Sequence, residues 1–169
     1  MRSNMMLLMA AAIWGLGFVA QRLGMDHMGP FTFNGLRFLL GAASLLPLLW
    51  WLKSRQPRPQ AGSPAGDRRL LLVGGLIAGG VLFSAASLQQ VGLLYTTAAK
   101  AGFITGLYII LVPVIGLALR HKTGANTWVG ALIAMAGLYY LSVTEEFTIG
   151  YGDLLQVIGA LFWAIHLLV

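Results

Sequence analysis

Leu88–Pro113, LQQVGLLYTTAAKAGFITGLYIILVP, decides how the rest of the chain is read. Two long apolar runs meet inside it, interrupted by Tyr95, Thr96, Thr97 and Lys100. The interruption is too short for a loop between soluble elements, and its flanks are too apolar for a solvated surface. The stretch therefore reads as two membrane-spanning helices that turn back at one face of a bilayer. The second helix carries Gly102-x-x-x-Gly106, a spacing that permits close helix approach. It also carries Pro113, whose missing N–H predicts a bend.

Composition extends this reading to the whole chain. Of 169 residues, 58% are hydrophobic and only 9% charged, with mean hydropathy +0.80. A soluble domain carries about 25% charged residues. A span needs about 20 apolar residues to cross roughly 30 Å of hydrocarbon. Such segments are expected at Met5–Leu23, Phe31–Leu52, Leu70–Leu94, Ala98–Leu119, Trp128–Val143 and Asp153–Val169. These runs are unbroken, not alternating, which excludes a β-barrel. The expected fold class is all-α, a polytopic membrane helix bundle of about six spans whose first partner is the lipid bilayer. Cysteine is absent, which excludes disulfides and thiolate metal sites. The N-terminus begins like a signal peptide, with Arg2 before an apolar run. Phe18 breaks the small-x-small pattern before Gln21 and further spans follow, so an uncleaved first helix is expected.

The net charge of +6 does not point to nucleic acid, because the cations sit in short loops between apolar runs. Lys53, Arg55, Arg58, Arg68 and Arg69 fall in a Pro/Gly/Ser-rich linker between spans two and three, and Arg120 and Lys122 between spans four and five. Placing both loops in the cytoplasm puts the N-terminus inside as well. Asp26, Glu145, Glu146 and Asp153 then lie at the outer face, with only Arg22, Arg37 and Lys100 as cations there. The glycines of spans three and five, Gly74, Gly75, Gly79, Gly80, Gly130 and Gly137, are expected to form packing surfaces together with Ala134. Pro47 is expected to bend the inner half of span two.

The last segment echoes the first. Asp153–Trp163, DLLQVIGALFW, aligns with Asn4–Trp14, NMMLLMAAAIW, matching Ala11 to Ala160 and Trp14 to Trp163. Span one leaves the cytoplasm, whereas span six enters from outside. A repeat with an odd number of spans is inverted relative to its copy, a construction that recurs in secondary transporters. Residues 1–145 are accordingly expected to form one five-helix repeat, and 150–169 the first helix of a second, truncated repeat. A complete duplication would have about ten spans.

Several ordered motifs resemble those of the drug/metabolite transporter superfamily, EamA type. Trp14-Gly-Leu-Gly-Phe-Val-Ala is similar to its first-helix signature, and Gly29-Pro-Phe-Thr-Phe-Asn-Gly-Leu-Arg37-Phe-Leu-Leu to its second. Leu94-Tyr-Thr-Thr-Ala-Ala, Pro113 and Gly130-Ala-Leu-Ile-Ala-Met-Ala-Gly137 resemble the pattern of the third to fifth helices. Gly152-Asp-Leu-Leu followed by Ala-Leu-Phe-Trp163-Ala resembles the start of the second repeat. The resemblance implies a ten-helix permease of the bacterial inner membrane with both termini inside. One departure is Arg120-His-Lys-Thr-Gly, where many relatives carry a glutamate after the fourth helix.

Intramembrane polar residues are costly and point to function. Asn34, Arg37, Gly41 and Ser44 share one helical stripe of span two, with Arg37 placed to line the outer part of a substrate path. The competing reading has Arg37 reach the outer headgroups or clamp a neighbouring helix. Trp14, Gly17 and Gln21 form a second stripe, and Gln156, Gly159, Trp163 and His166 a third. Helical arithmetic puts Lys100 on one side of span four with Tyr108 at its edge, and Gly102, Thr105, Gly106 and Pro113 on the other, packing side. Lys100 either places positive charge at the outer mouth of the site or, the favoured expectation, reaches headgroups. The candidate substrate-binding residues are Trp14, Asn34, Arg37, Tyr108 and Trp163. No nucleophile–base pair, carboxylate dyad or histidine cluster suggests an enzyme, a cofactor or a metal. The expected function is a secondary transporter of small molecules, with export the expected direction. A non-transporting scaffold and a half-size transporter that self-associates are the alternatives.

Overall fold

The computed structural model describes residues 2–55, 68–120, 123–142 and 149–169. Arg58, Lys122, Glu145 and Glu146, used above to assign topology, lie outside them. Among the described residues the chain is helical throughout, with no strand. The physical reason is that lipid offers backbone groups no hydrogen bonds, so each apolar run satisfies them within itself. The helices are α1 (Arg2–Met25), α2 (Pro30–Arg55), α3 (Arg68–Gly92), α4 (Ala98–Gly106), α5 (Tyr108–Ala118), α6 (Ala125–Ser142) and α7 (Tyr151–Leu168). Stretches Asn4–Met25, Pro30–Arg55, Arg69–Gly92, Ala98–Ala118 and Tyr151–Leu168 are long and apolar enough to cross a bilayer, and α6 adds a shorter apolar part, Ala125–Gly137.

Span four is two helices in line. Its break falls at Leu107, where the Leu107 N–H bonds back three residues to Ile104 and Ile110 N–H bonds back three to Leu107. Gly106, a weak helix former, immediately precedes it. Pro113, where the bend was expected, sits buried inside an uninterrupted α5. α2 likewise runs on through Pro47. Between α3 and α4 the chain reverses through residues 93–97, and Thr97 caps α4 by accepting the Lys100 N–H at 3.2 Å.

α7 is the centre of the bundle. It packs most extensively on α3 and also touches α4 and α5, with α1, α2 and α6 outside. Its buried face, Gly152, Asp153, Gln156, Gly159, Ala160 and Ala164, follows helical spacing. The rest of the core is small as well: Ala85, Ala86, Ala101 and Ala131, with Leu93 and Ile104 the larger members. Lipid tails give helices no hydrophobic reason to associate, so small side chains that let backbones approach take over that task.

The glycine expectation needs correction. A Cβ built at Gly74, Gly75, Gly79, Gly80, Gly102, Gly130 or Gly137 meets nothing within 4 Å. Close approach occurs instead where α3 ends against the start of α7. A Cβ at Gly152 would lie 2.7 Å from the Gly92 carbonyl oxygen and 2.8 Å from Tyr95, and one at Gly92 would lie 2.8 Å from the Gln156 amide. The glycines are distributed over all faces of their helices; those facing α7 meet backbone, Gly24 meets the Phe33 ring of α2, and the seven above meet nothing. Gly74→Ala and Gly130→Ala are therefore expected to leave thermal stability unchanged or raise it by up to about 1 kcal/mol through helix propensity. A loss above that size in heated, detergent-solubilised protein would contradict this placement.

Candidate functional site

Three tiers of polar contacts tie α7 into the bundle. The first is at its N-terminus. Asp153 Oδ2 accepts from Lys100 Nζ at 2.6 Å and from the Gly150 N–H at 2.8 Å, while Oδ1 accepts from Thr96 Oγ1 at 2.7 Å. Gly150 has no side chain to return the bond, so half of a capping box forms. The carboxylate is 4% exposed, yet it sits in the first turn of α7, where the helix dipole favours negative charge. Lys100 occupies the first turn of α4, where the dipole disfavours a cation, and the carboxylate offsets this. The headgroup reading of Lys100 is thereby replaced by an ion pair spanning 53 residues of sequence.

One turn deeper, Gln156 is fully buried. Its Nε2 donates to the Gln89 carbonyl at 2.9 Å, and its Oε1 accepts from Thr105 Oγ1 at 3.3 Å. Deeper still, Trp163 Nε1 donates to the Gln89 side-chain oxygen at 2.9 Å. The same ring meets Trp14 edge-on at a centroid distance of 6.0 Å and His166 at 6.2 Å. The two tryptophans that align in the internal echo thus touch. Trp163→Phe keeps most of the ring area and removes the indole donor. It is expected to cost about 1–2 kcal/mol of thermal stability, because Gln89 Oε1 loses a partner inside a dry interface.

α1 and α2 are held by fewer bonds. Arg22 donates to the carbonyl of Leu93, just past the C-terminus of α3, where the dipole favours a cation. Asn34 is buried and its Nδ2 donates to the Ala86 carbonyl at 3.1 Å. Gln21 bonds only within its own helix, to Gly17.

Of the five candidate residues, Trp14 and Trp163 come together, and Asn34 links α2 to α3. Arg37 is half-buried, its guanidinium 5.1 Å from the centre of the Phe38 ring. Tyr108 is half-buried at the first position of α5, and no described hydrogen bond or ring contact joins it to the other four. Thr105 and Pro113 are buried, as expected for the packing side of span four, but Gly102 is not tightly packed.

Gln89 and Gln90 were missed as interior polar groups, although two adjacent glutamines inside an apolar run are a visible signal. Gln90 is fully buried, and among the described residues neither its Nε2 nor its Oε1 has a hydrogen-bond partner. An unsatisfied buried amide costs about 1–3 kcal/mol. Gln90→Leu is accordingly expected to raise thermal stability by about 1 kcal/mol, and a decrease on heating would show that the amide is satisfied in the membrane.

A bundle of apolar helices whose interior is a polar ladder, and whose outside is leucine, tryptophan and methionine, is an integral membrane protein. Residues 1–143 match the EamA-like transporter family, and the chain belongs to that family. An archaeal relative named "Uncharacterized transporter", from Archaeoglobus fulgidus, is 34% identical over 160 residues, covering 93% of this chain and 45% of its own length. Two proteins of Bacillus subtilis strain 168 are also similar. "Uncharacterized transporter YetK" is 29% identical over 137 residues (79% of this chain, 39% of its own), and "Uncharacterized transporter YoaV" 25% identical over 158 (90% and 51%). The chain spans about half the length, or less, of these relatives. No solved structure matches.

Proposed function

We propose that the chain supplies the first half of the substrate path in a secondary transporter that exports small metabolites or drug-like molecules by alternating access. The observation that carries this is the polar ladder between α7 and α3–α5, Asp153, Gln156, Gln89 and Trp163, ending on the Trp14–Trp163 contact. Equivalent residues of two inverted repeats touch where the pseudo-two-fold axis passes between them, which is where such transporters place their substrate. Residues 1–145 are the first repeat and 150–169 the start of the second. The family match over 1–143 and the chain's share of its relatives' length support that division.

The bonding pattern shapes the proposed motion. α7 belongs to the second repeat by sequence, yet its polar side chains are bonded to α3 and α4. The moving bodies therefore cross the repeat boundary: α3, α4, α5 and α7 move as one, and α1 and α2, with few bonds, rearrange against them. The N-terminus is cytoplasmic and the membrane the bacterial inner membrane in this reading. Trp14, Asn34, Arg37, Tyr108 and Trp163 remain the candidate contacts.

Export is tested by comparing solutes in the medium of cells that overproduce the full-length gene product with those of cells lacking it. At least one small organic solute is expected to accumulate outside only in the former, and identical media would refute the reading. Reporter fusions at Ser63 and Glu146 test orientation independently, with a cytoplasmic signal expected at the first and a periplasmic one at the second. The opposite pattern would invert the topology.

A further inference from the structure

A cleft of about 270 Å³ lies between α2 and α3, lined by Phe38, Gly79, Leu82 and Phe83. Its walls are apolar, and the space at Gly79 is open, since a Cβ built there meets nothing within 4 Å. A cation lies against the same wall, since the Arg37 guanidinium sits over the ring of Phe38. Arg37 is seven residues past the start of α2, ~10 Å along the helix at 1.5 Å per residue. Among the described residues no carboxylate lies within ion-pair distance of it. An aromatic face engages only one side of a guanidinium and leaves its N–H fork open. In a membrane, that fork calls for an anion.

The geometry points to an amphipathic organic anion as the substrate class, its apolar body in the Phe38–Gly79–Leu82–Phe83 cleft and its carboxylate on the fork of Arg37. This rests on the transport reading and narrows it. The cleft volume is close to the lower end of small-molecule sites, about 300–1,000 Å³, which suits a single-ring body better than a phospholipid tail. The apolar walls suit the apolar body of such an anion. The anionic group supplies at Arg37 the charge that no described side chain does.

The test uses full-length protein in phosphatidylcholine vesicles, with radiolabelled 4-phenylbutyrate, 4-phenylbutanamide and 4-phenylbutylamine as probes in binding and counterflow. 4-Phenylbutyrate is expected to bind saturably and exchange, and the amide and the amine at least tenfold more weakly. Arg37→Gln is expected to weaken 4-phenylbutyrate at least tenfold, and Arg37→Lys to restore part of the loss. Gly79→Leu, which fills the cleft and leaves Arg37 in place, is expected to weaken it to a similar extent. Equal or better handling of the amide or the amine would overturn the anion assignment and leave transport standing. Failure of all three probes in protein that keeps its unfolding transition would also overturn it, and transport would then be judged on the medium comparison above. Displacement of 4-phenylbutyrate by phosphatidylglycerol at stoichiometric levels, with the lipid retained through Arg37, would make the cleft a lipid site and overturn the proposal.

Discussion

Gly152→Ala is expected to be the most damaging methyl addition where α3 meets α7. The added Cβ would fall 2.7 Å from the Gly92 carbonyl oxygen and 2.8 Å from both the carbonyl carbon and the Cβ of Tyr95. Two of these atoms are backbone, so α3 and α7 must move apart to admit it. Overpacking of this kind costs about 1–3 kcal/mol, and a contact with backbone on the far side belongs at the upper end. Separating the helices would also lengthen the Gln156–Gln89 bond one turn on. Gly92→Ala should cost less, because the nearest atom is the movable amide of Gln156 at 2.8 Å, although the Gly152 carbonyl stands at 3.0 Å. Gly159→Ala supplies the control. Its Cβ would meet neighbours no closer than 3.5 Å, an ordinary contact. The fraction of monodisperse protein surviving a temperature series should rank the variants Gly152→Ala, Gly92→Ala, Gly159→Ala from least to most stable. A Gly152→Ala variant as stable as Gly159→Ala would show that the helices do not approach this closely.

Asp153→Ala is the second large effect. It removes the acceptor of three hydrogen bonds and leaves Lys100 without its carboxylate at a helix terminus that disfavours positive charge. Removing one partner of a fully buried pair costs about 3–5 kcal/mol. The Lys100 side chain is 27% exposed and can recover some hydration, so about 2 kcal/mol is expected. The reverse change is milder. In Lys100→Met the carboxylate keeps its bonds to Thr96 and the Gly150 N–H and its place at the N-terminus of α7, and about 1 kcal/mol is expected. Because the two side chains form one contact, the double variant should be more stable than the sum of the single losses implies. Strict additivity in thermal unfolding would mean that the pair is not formed. Transport should fall with Asp153→Ala beyond what its lower stability explains, since the pair joins α7 to the turn that begins α4.

The membrane class, the helices and most of their limits were legible in the sequence. Phe31–Leu52 lies inside α2 (Pro30–Arg55), and Asp153–Val169 differs from α7 (Tyr151–Leu168) by only one or two residues at either end. A run of apolar residues in lipid has one way to satisfy its backbone, so length and hydropathy suffice. The reversal was legible too, from the polar interruption; the structure adds that Thr97 caps α4 there. A bend was expected at Pro113, but α5 runs on through it and span four is interrupted at Leu107, just after Gly106.

The contacts of the candidate site were legible only in part. Trp14 and Trp163 were linked by their places in the echo, and the structure puts their rings together. Lys100 was assigned to the headgroups, since nothing near it in sequence is acidic; its partner arrives from a helix that begins more than fifty residues later. The close-packed glycines were sought at the start of span three and in span five, but they lie at Gly92, the last residue of α3, and at Gly152. In a soluble helix the polar face marks the outside, and the sequence itself says which side is buried. Here the lipid-facing surface is as apolar as the core, so residues on opposite sides of α3, Gly79 in an open cleft and Gly92 against α7, look alike on the page. The sequence by itself determined that these segments are helices, and that they cross a membrane. Which face of each helix meets another, and therefore which polar groups pair, was decided only when α7 packed between α3, α4 and α5.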